Sequence, residues 1–406
     1  GAGEREFPKL GYAAQLMNNA GIMGAYEPQE LKEELSKLNA TCHVTADEDN
    51  LYIIMEGYEA TLPQACQLLS RQILMPKLDE KQLARLKGSA MGMRQQRKDN
   101  VSILNEALRQ YMLYGEKSDY IKELTDKEIY ELQISELTGD INRASNYEAK
   151  VFFTGTLPFD QVYDILSKNL PLVANERPSN SPQAKEMMPV TENTVYFLPN
   201  NDAEQAQIHL YIPMQKADKK DDVLRSAFNQ YFGLDFTGIV LNEIREKRSM
   251  AYTAYAFVGT QGIAGKASYL RGYIGTQNDK ANDALDVLMS LVNDMPKNPE
   301  RIGNIKSYLR QAMLTSHPSF RNKAMELVDL GYRGYTDDPA KENLPKVDAL
   351  TFDDIVKFYE ENIKGKPYCI SIMGNPKDID LKRLEKFGKV VKLNERKLFN
   401  TKDALF

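Results

Sequence analysis

The sequence predicts an α+β protein made of two homologous domains, each with helices packed on one face of a sheet. Three observations carry that expectation. The two halves of the 406-residue chain share punctuation at a nearly fixed offset. Strand-like runs rich in Val, Ile, Tyr and Phe alternate with helical patterns of roughly ten to twenty residues. A polar, Pro-containing stretch from Asn175 through ERPSNSPQAKE to about Glu186 lies between the copies and reads as a linker. Length agrees, because a chain of this size exceeds one ordinary core. The domains are expected at residues 1–180 and 187–406.

The first copy opens with a helical pattern, GYAAQLMNN at Gly11 to Asn19. TCHVTADED follows as a strand running into a turn, and LYIIMEGYEATLPQACQLLSRQIL reads as strand, Gly turn and amphipathic helix. Met75-Pro76-Lys77 then precedes the helical pattern DEKQLARLKGSAMGMRQQR, and the copy closes with a helix, a strand, a Gly and a Pro in KVFFTGTLPFDQVYDIL around Gly155. The second copy begins with two strands, TVYFLP from Thr194 and QAQIHLYIPM from Gln205. The charged run KADKKDD at Lys216 to Asp222 reads as a solvated turn. Downstream, LRGYIGTQNDKANDALDVLMSLV repeats the strand, turn and helix, and Met295-Pro296-Lys297 precedes NPERIGNIKSYLRQAML. YCISIMGNPKDIDLKRL closes the copy around Gly374. The offset is 220 from 296 minus 76, and 219 from 374 minus 155. Only a handful of residues precede the first helix of the first copy, so that domain reads as lacking its opening strands and the chain as part of a longer protein.

Composition narrows the function classes. A formal net charge of −5 with interspersed Lys and Glu argues against nucleic-acid binding, which calls for a basic stripe or patch. No apolar run approaches the roughly 20 residues needed to span a bilayer, so membrane insertion is not expected. The start, GAGEREFPKL, has no initiator Met and reads as a tag scar followed by an internal cut, so the missing signal peptide says nothing about export. Cys42, Cys66 and Cys369 are scattered in largely apolar contexts and read as buried free thiols. His43, His209 and His317 form no paired ligand motif. His43 and Asp47 are four apart, a spacing that converges only on a helix, and this segment reads as strand. His43 and His209 are therefore expected to be structural imidazoles. Asp47-Glu48-Asp49-Asn50 is too short for a calcium loop and is expected to be a hairpin turn.

The most informative stretch is FTGIVLNEIREKRSMAYTAYAF, from Phe236 to Phe257. A helix over about Gly238 to Lys247 would present Ile239, Val240 and Ile244 to the core, and Ser249 would break the pattern into the strand MAYTAYAF. Six residues between Arg245 and Tyr252 let one stand at the helix end and the other on the following strand, so that both converge on one cleft. By itself this spacing fits equally a surface arginine in the charged cluster EIREKR and one core tyrosine among many.

IREKRSMAYTAYAF resembles the pattern IREKRGLAYSAYA of the insulinase/pitrilysin family of zinc peptidases, with Ser249 in place of Gly. The resemblance covers nearly the whole chain, although the Gly-rich lead-in before that helix is altered here to FGLDFTGIV. It implies two insulinase-like α/β domains with a mixed, mostly antiparallel sheet, together forming one half of a clam-shell. In catalytic members HxxEH supplies two zinc-binding His and a general-base Glu. Setting the family pattern GLAHFLEHM on Gly11 to Asn19 puts Ala14 and Asn18 at the His positions and Met17 at the Glu position. The third ligand, a Glu on a later helix, falls near Gly92 and Met93.

The resemblance therefore implies the carboxy-terminal, non-metal half of a zinc metalloendopeptidase. No cofactor is expected in this chain, and zinc is expected in an HxxEH-bearing half, either in the same polypeptide or on a separate subunit. Tyr252 is implied to donate to the substrate carbonyl and oxyanion across the chamber, and Arg245 to position a peptide substrate. The alternative is a catalytically inactive structural or assembly subunit of the same fold. A peptide-binding module without a catalytic partner is a third class, supported by no particular residue. Analogy with bacterial relatives points to the periplasm or cell envelope, with a cytoplasmic location left open.

Overall fold

In the computed structural model the described residues are 2–97, 100–171, 182–233 and 237–400. Most of the linker, residues 172–181, and Leu234 to Phe236 of the altered lead-in lie outside them. The chain divides into two compact units. One contains the residues up to Arg97 with Glu123 to Gln183, and the other contains the stretch ending at Lys122 together with Ala184 to Asn400. A helix that stands in the first copy of the repeat, Val101–Tyr114, thus belongs to the second unit.

Among its described residues the first unit holds four short strands: β1 (Gly21–Ile22), β2 (Thr41–Ala46), β3 (Leu51–Glu56) and β4 (Pro76–Lys77). β2 and β3 form an antiparallel hairpin, and β1 pairs with β4. The hairpin turn is built by Asp47, whose Oδ1 accepts the N–H groups of Asp49 at 2.8 Å and Asn50 at 2.7 Å. That side-chain capping of a turn is what short acidic residues do locally. The core of the unit gathers Leu10, Ala13, Ala14 and Met17 from the helix Leu10–Met17, Leu83 and Ala90 from Glu80–Gln96, and Leu137 and Ile141 from Ile134–Ser145.

The second unit carries β5 (Thr194–Pro199), β6 (Gln205–Lys216), β7 (Ala251–Thr260), β8 (Ala267–Gln277), β9 (Cys369–Gly374) and β10 (Lys389–Lys392). They form one sheet in the order β10-β5-β9-β6-β8-β7. β10, β5 and β9 run parallel to one another, whereas β6 is antiparallel to β9 and β8, and β7 is antiparallel to β8. The sheet is therefore mixed and mostly antiparallel. Alternation puts Ile208, Leu210 and Ile212 of β6 and Ala254, Ala256 and Val258 of β7 on the face packed by helices. The helix Asp222–Phe232 meets that face with Val223, Ala227, Phe228 and Tyr231, and Ala281–Asn293 does so with Ala284, Leu285, Leu288 and Val292. On the opposite face, the helix Val101–Tyr114 packs Leu104, Ala107 and Leu108 against Leu198 and Met373. All six residues of β9 are buried as a result.

The repeat is visible in three dimensions. The helices Leu62–Leu74 and Ala281–Asn293 match end to end, as do the single turns Glu59–Thr61 and Asn278–Lys280, since 281 minus 62 and 278 minus 59 both give 219. A hydrogen bond repeats at the same offset. Thr156 N–H donates to the Glu59 carboxylate, and Asn375 N–H donates to Asn278 Oδ1 at 2.9 Å.

One expected element does not form. KVFFTG, the counterpart of β9, makes no strand in the first unit, and Val151 and Phe152 are about half exposed. β9 is held between β5 and β6, and among the described residues of the first unit nothing pairs with residues 150–154 in the same way. A strand has no backbone partners of its own, so sequence propensity cannot sustain it without neighbours.

Candidate functional site

The junction begins with a short α turn, Ile239–Leu241, that widens into a π turn over Asn242–Glu246. Ile239, Val240, Leu241 and Ile244 are buried, which anchors the turn and fixes the outward face. Its carboxy-terminal end is closed by Ser249 N–H donating to Arg245 O at 2.9 Å and Met250 N–H donating to Ile244 O at 3.0 Å. Each bond is one residue wider than in the usual Schellman cap, because the last turn is itself a π turn. Ser249 sits at φ 50°, in the left-handed region. Glycine adopts that region without steric penalty, which gives a physical reason for the Gly at this place in the pattern quoted above.

β7 then starts with a bulge. Ala251 pairs with Thr276 and Thr253 with Gly275, so Tyr252 is the extra residue. Ala251 and Ala254 are buried, and the bulge leaves Tyr252 standing off the core at 78% exposure. The guanidinium carbon of Arg245 lies 5.4 Å from the centre of the Tyr252 ring, within range of a cation–π contact worth about 0.5–1 kcal/mol at an exposed site. Among the described residues the Tyr252 hydroxyl makes no hydrogen bond.

The neighbouring charges leave Arg245 available. Lys247 first, and then Arg248, hold the Glu243 carboxyl below its ordinary range, and both pair with it directly. Among the described residues Arg245 forms an ion pair only with the adjacent Glu246, at 3.5 Å and exposed, a pair that contributes little in water. β7 is an edge strand, but its outer edge is partly closed. Ala256 N–H donates to Gly233 O, and the Asn229 side chain bonds both the N–H and the C=O of Val258. Backbone pairing with another strand is thereby blocked at Ala256 and Val258.

The positions matched to the zinc motif do other work. Ala14 and Met17 are core residues of the helix Leu10–Met17. Asn18 clasps β2, with Nδ2 donating to Val44 O at 2.8 Å and Oδ1 accepting Val44 N–H at 2.7 Å. Met93 is exposed, and open space surrounds Gly92 on the helix Glu80–Gln96. Among the described residues no group of three or more His, Cys, Asp or Glu side chains could hold a metal ion. The donor set of a catalytic zinc does not fit here.

His43 lies in β2, opposite Ile54, and His317 lies in an exposed loop. His209 in β6 is buried, and its Nε2 is 3.0 Å from Asn105 Oδ1. Burial first, then the charges of Arg271 and Arg109, lower its pKa to about 3. Burial likewise pushes the Cys42, Cys66 and Cys369 thiols up to about 11, and all three are unbridged. Sequence reasoning passed over Arg271, Tyr255 and Tyr273, which cluster on β7 and β8. Their only signal is period-two alternation, which any half-covered strand shows.

Residues 145–306 match the sequence model of the peptidase M16 inactive domain. The fold is similar to a peptidase M16 inactive domain from Pseudomonas fluorescens, with 17% identity, TM-score 0.69, and coverage of 93% of this chain and 92% of that one. It is similar to a protease from Helicobacter pylori, at 13% identity and TM-score 0.65, over 90% of this chain and 89% of the other. It also resembles the periplasmic protease PqqL from Escherichia coli, at 13% identity and TM-score 0.68. There the match covers 92% of this chain but only 42% of the longer protein. No curated protein matches the chain in sequence.

Proposed function

From the premise that this chain belongs to the insulinase (M16) family of peptidases, as a carboxy-terminal half of the inactive-domain type, we propose that it carries no catalytic metal, closes a peptidase chamber and positions substrate. In this reading the zinc and the general base come from an HxxEH-bearing half, in the same polypeptide or on a separate subunit. Tyr252 donates its hydroxyl hydrogen to the scissile carbonyl as negative charge develops there, and Arg245 donates to a nearby peptide carbonyl. The substrate is a peptide or an unfolded segment that reaches the chamber and pairs with a sheet edge on the zinc-bearing side. The partly closed outer edge of β7 agrees with that division of labour. A location in the periplasm or cell envelope is supported by the similarity to a periplasmic protease, and no helix among the described residues is long and apolar enough to cross a membrane.

Tyr252 carries the reading. A tyrosine 78% exposed, lifted out by a bulge and held beside an arginine, with no hydrogen bond to its hydroxyl among the described residues, is poorly explained as core packing. The decisive experiment substitutes Tyr252→Phe in the chain reconstituted with its HxxEH partner. Loss of one oxyanion donor is expected to lower kcat by about 100-fold to 1,000-fold, or roughly 3–4 kcal/mol, with a smaller change in KM. Turnover that is indifferent to the substitution would favour the structural subunit instead.

A further inference from the structure

A second polar position lies along the same pair of strands. Tyr255 and Phe257 alternate with buried Ala254, Ala256 and Val258, while Arg271 and Tyr273 alternate with buried Leu270, Gly272 and Ile274. These four side chains therefore occupy the face of the sheet away from the main helical core. Register sets Phe257 opposite Arg271 and Tyr255 opposite Tyr273. The Tyr255 ring lies 5.2 Å from that of Tyr273 and 5.9 Å from that of Phe257, and Arg271 Nη2 donates to Tyr255 Oη at 3.5 Å.

What distinguishes Arg271 is its lack of a counter-charge. It is partly buried, its Nε is buried without a hydrogen-bond partner, and no carboxylate pairs with it among the described residues. The nearby imidazole, His209, lies tilted 5.1 Å from the Tyr273 ring and is neutral, so it offers no negative charge. Arg109, by contrast, is paired with Glu106. Removing a guanidinium from water without a partner is unfavourable, and its planar fork matches a carboxylate in two-point fashion. Tyr255 stands three residues beyond Tyr252 on the same strand, about 10 Å for an extended chain.

We propose that Arg271, framed by Tyr255 and Tyr273, anchors a carboxylate of the bound peptide about three residues from the carbonyl held by Tyr252. The inference rests on the reading of Arg245 and Tyr252 as a substrate clamp. An acidic side chain and the free carboxy terminus of the peptide offer the same chemistry to this position.

The test measures binding to the full chain by fluorescence anisotropy, up to millimolar peptide. Three labelled peptides share one neutral sequence: one is amidated, one is amidated with a single Glu, and one has a free carboxy terminus. At least one carboxylate peptide is expected to bind about tenfold or more tightly than the neutral one, and which of them does so identifies the source. The ratio should fall to about one in Arg271→Gln. It should fall only partly in Arg271→Lys, which keeps the charge and loses the fork. Circular dichroism checks that both variants fold. A preference that survives in Arg271→Gln, a wild-type chain without preference, or no binding of any of the three peptides overturns the proposal. The clamp itself stands or falls on turnover by the Tyr252→Phe variant, in a different assay.

Discussion

His209 shows how one side chain couples the sheet to pH. Its imidazole is 2% exposed, donates to Asn105 Oδ1 through Nε2, and faces two cations, Arg271 and Arg109, beside the ring of Tyr273. Its folded pKa of about 3 lies below the usual value near 6.5. The unfolded chain therefore takes up a proton between those limits that the folded chain refuses. The stability due to neutral His209 is complete above about pH 6.5 and is lost as pH falls toward 3, at about 1.4 kcal/mol per pH unit within the window. Urea unfolding at pH 7 and pH 4.5 should show wild type losing more stability than His209→Gln. Equal losses would mean that the imidazole is already charged in the folded protein. Asn18 illustrates a different outcome at the residue scale. A position aligned with a zinc ligand is instead a two-point clasp on Val44, so its loss would be felt in packing and not in metal affinity.

Among the elements, the turn from helix to strand sets the candidate site. A π turn, a left-handed residue and a bulge follow one another within Asn242 to Thr253, and each moves the chain away from ideal geometry. Together they bring Arg245 against the ring of Tyr252. Ser249 bears the strain. A non-Gly residue in the left-handed region costs about 1–2 kcal/mol, and the freedom glycine adds to the unfolded chain offsets about 0.5–1 kcal/mol of the relief. Ser249→Gly is thus expected to stabilise the protein by up to about 1 kcal/mol, read as a higher urea midpoint at unchanged slope. A destabilised variant would show that the serine hydroxyl matters more than its backbone. The missing strand at residues 150–154 belongs to this scale as well. Its counterpart, β9, has the same closing Gly and the same hydrogen bond to the preceding turn, but only β9 has β5 and β6 beside it.

For the whole molecule, the proposed function requires that zinc and its general base be supplied by another half. The zinc-motif positions hold an alanine and a methionine in the core and an asparagine fastened to β2. The purified chain, loaded with excess zinc and then stripped of loosely bound metal, should therefore retain almost none by elemental analysis. It should also fail to hydrolyse peptides alone. One tightly held zinc per chain, or turnover by the isolated chain, would overturn the assignment of Ala14, Met17 and Asn18 to the motif.

Much of this was legible from residue order, because it rests on local or periodic signals. The offset near 220, the strands TVYFLP and QAQIHLYIPM, the Asp47 turn and the Arg245 to Tyr252 spacing are each written in short segments whose physics is local. Four features required the tertiary structure: the failure of KVFFTG to form a strand, the placement of Val101–Tyr114 with the second unit, the exposure of Tyr252 on a bulge, and the lack of a paired carboxylate for Arg271 among the described residues. Each depends on what lies beside a residue in space. Strand pairing, burial and counter-charge are properties of neighbours far away in the chain, and spacing along the sequence does not encode them.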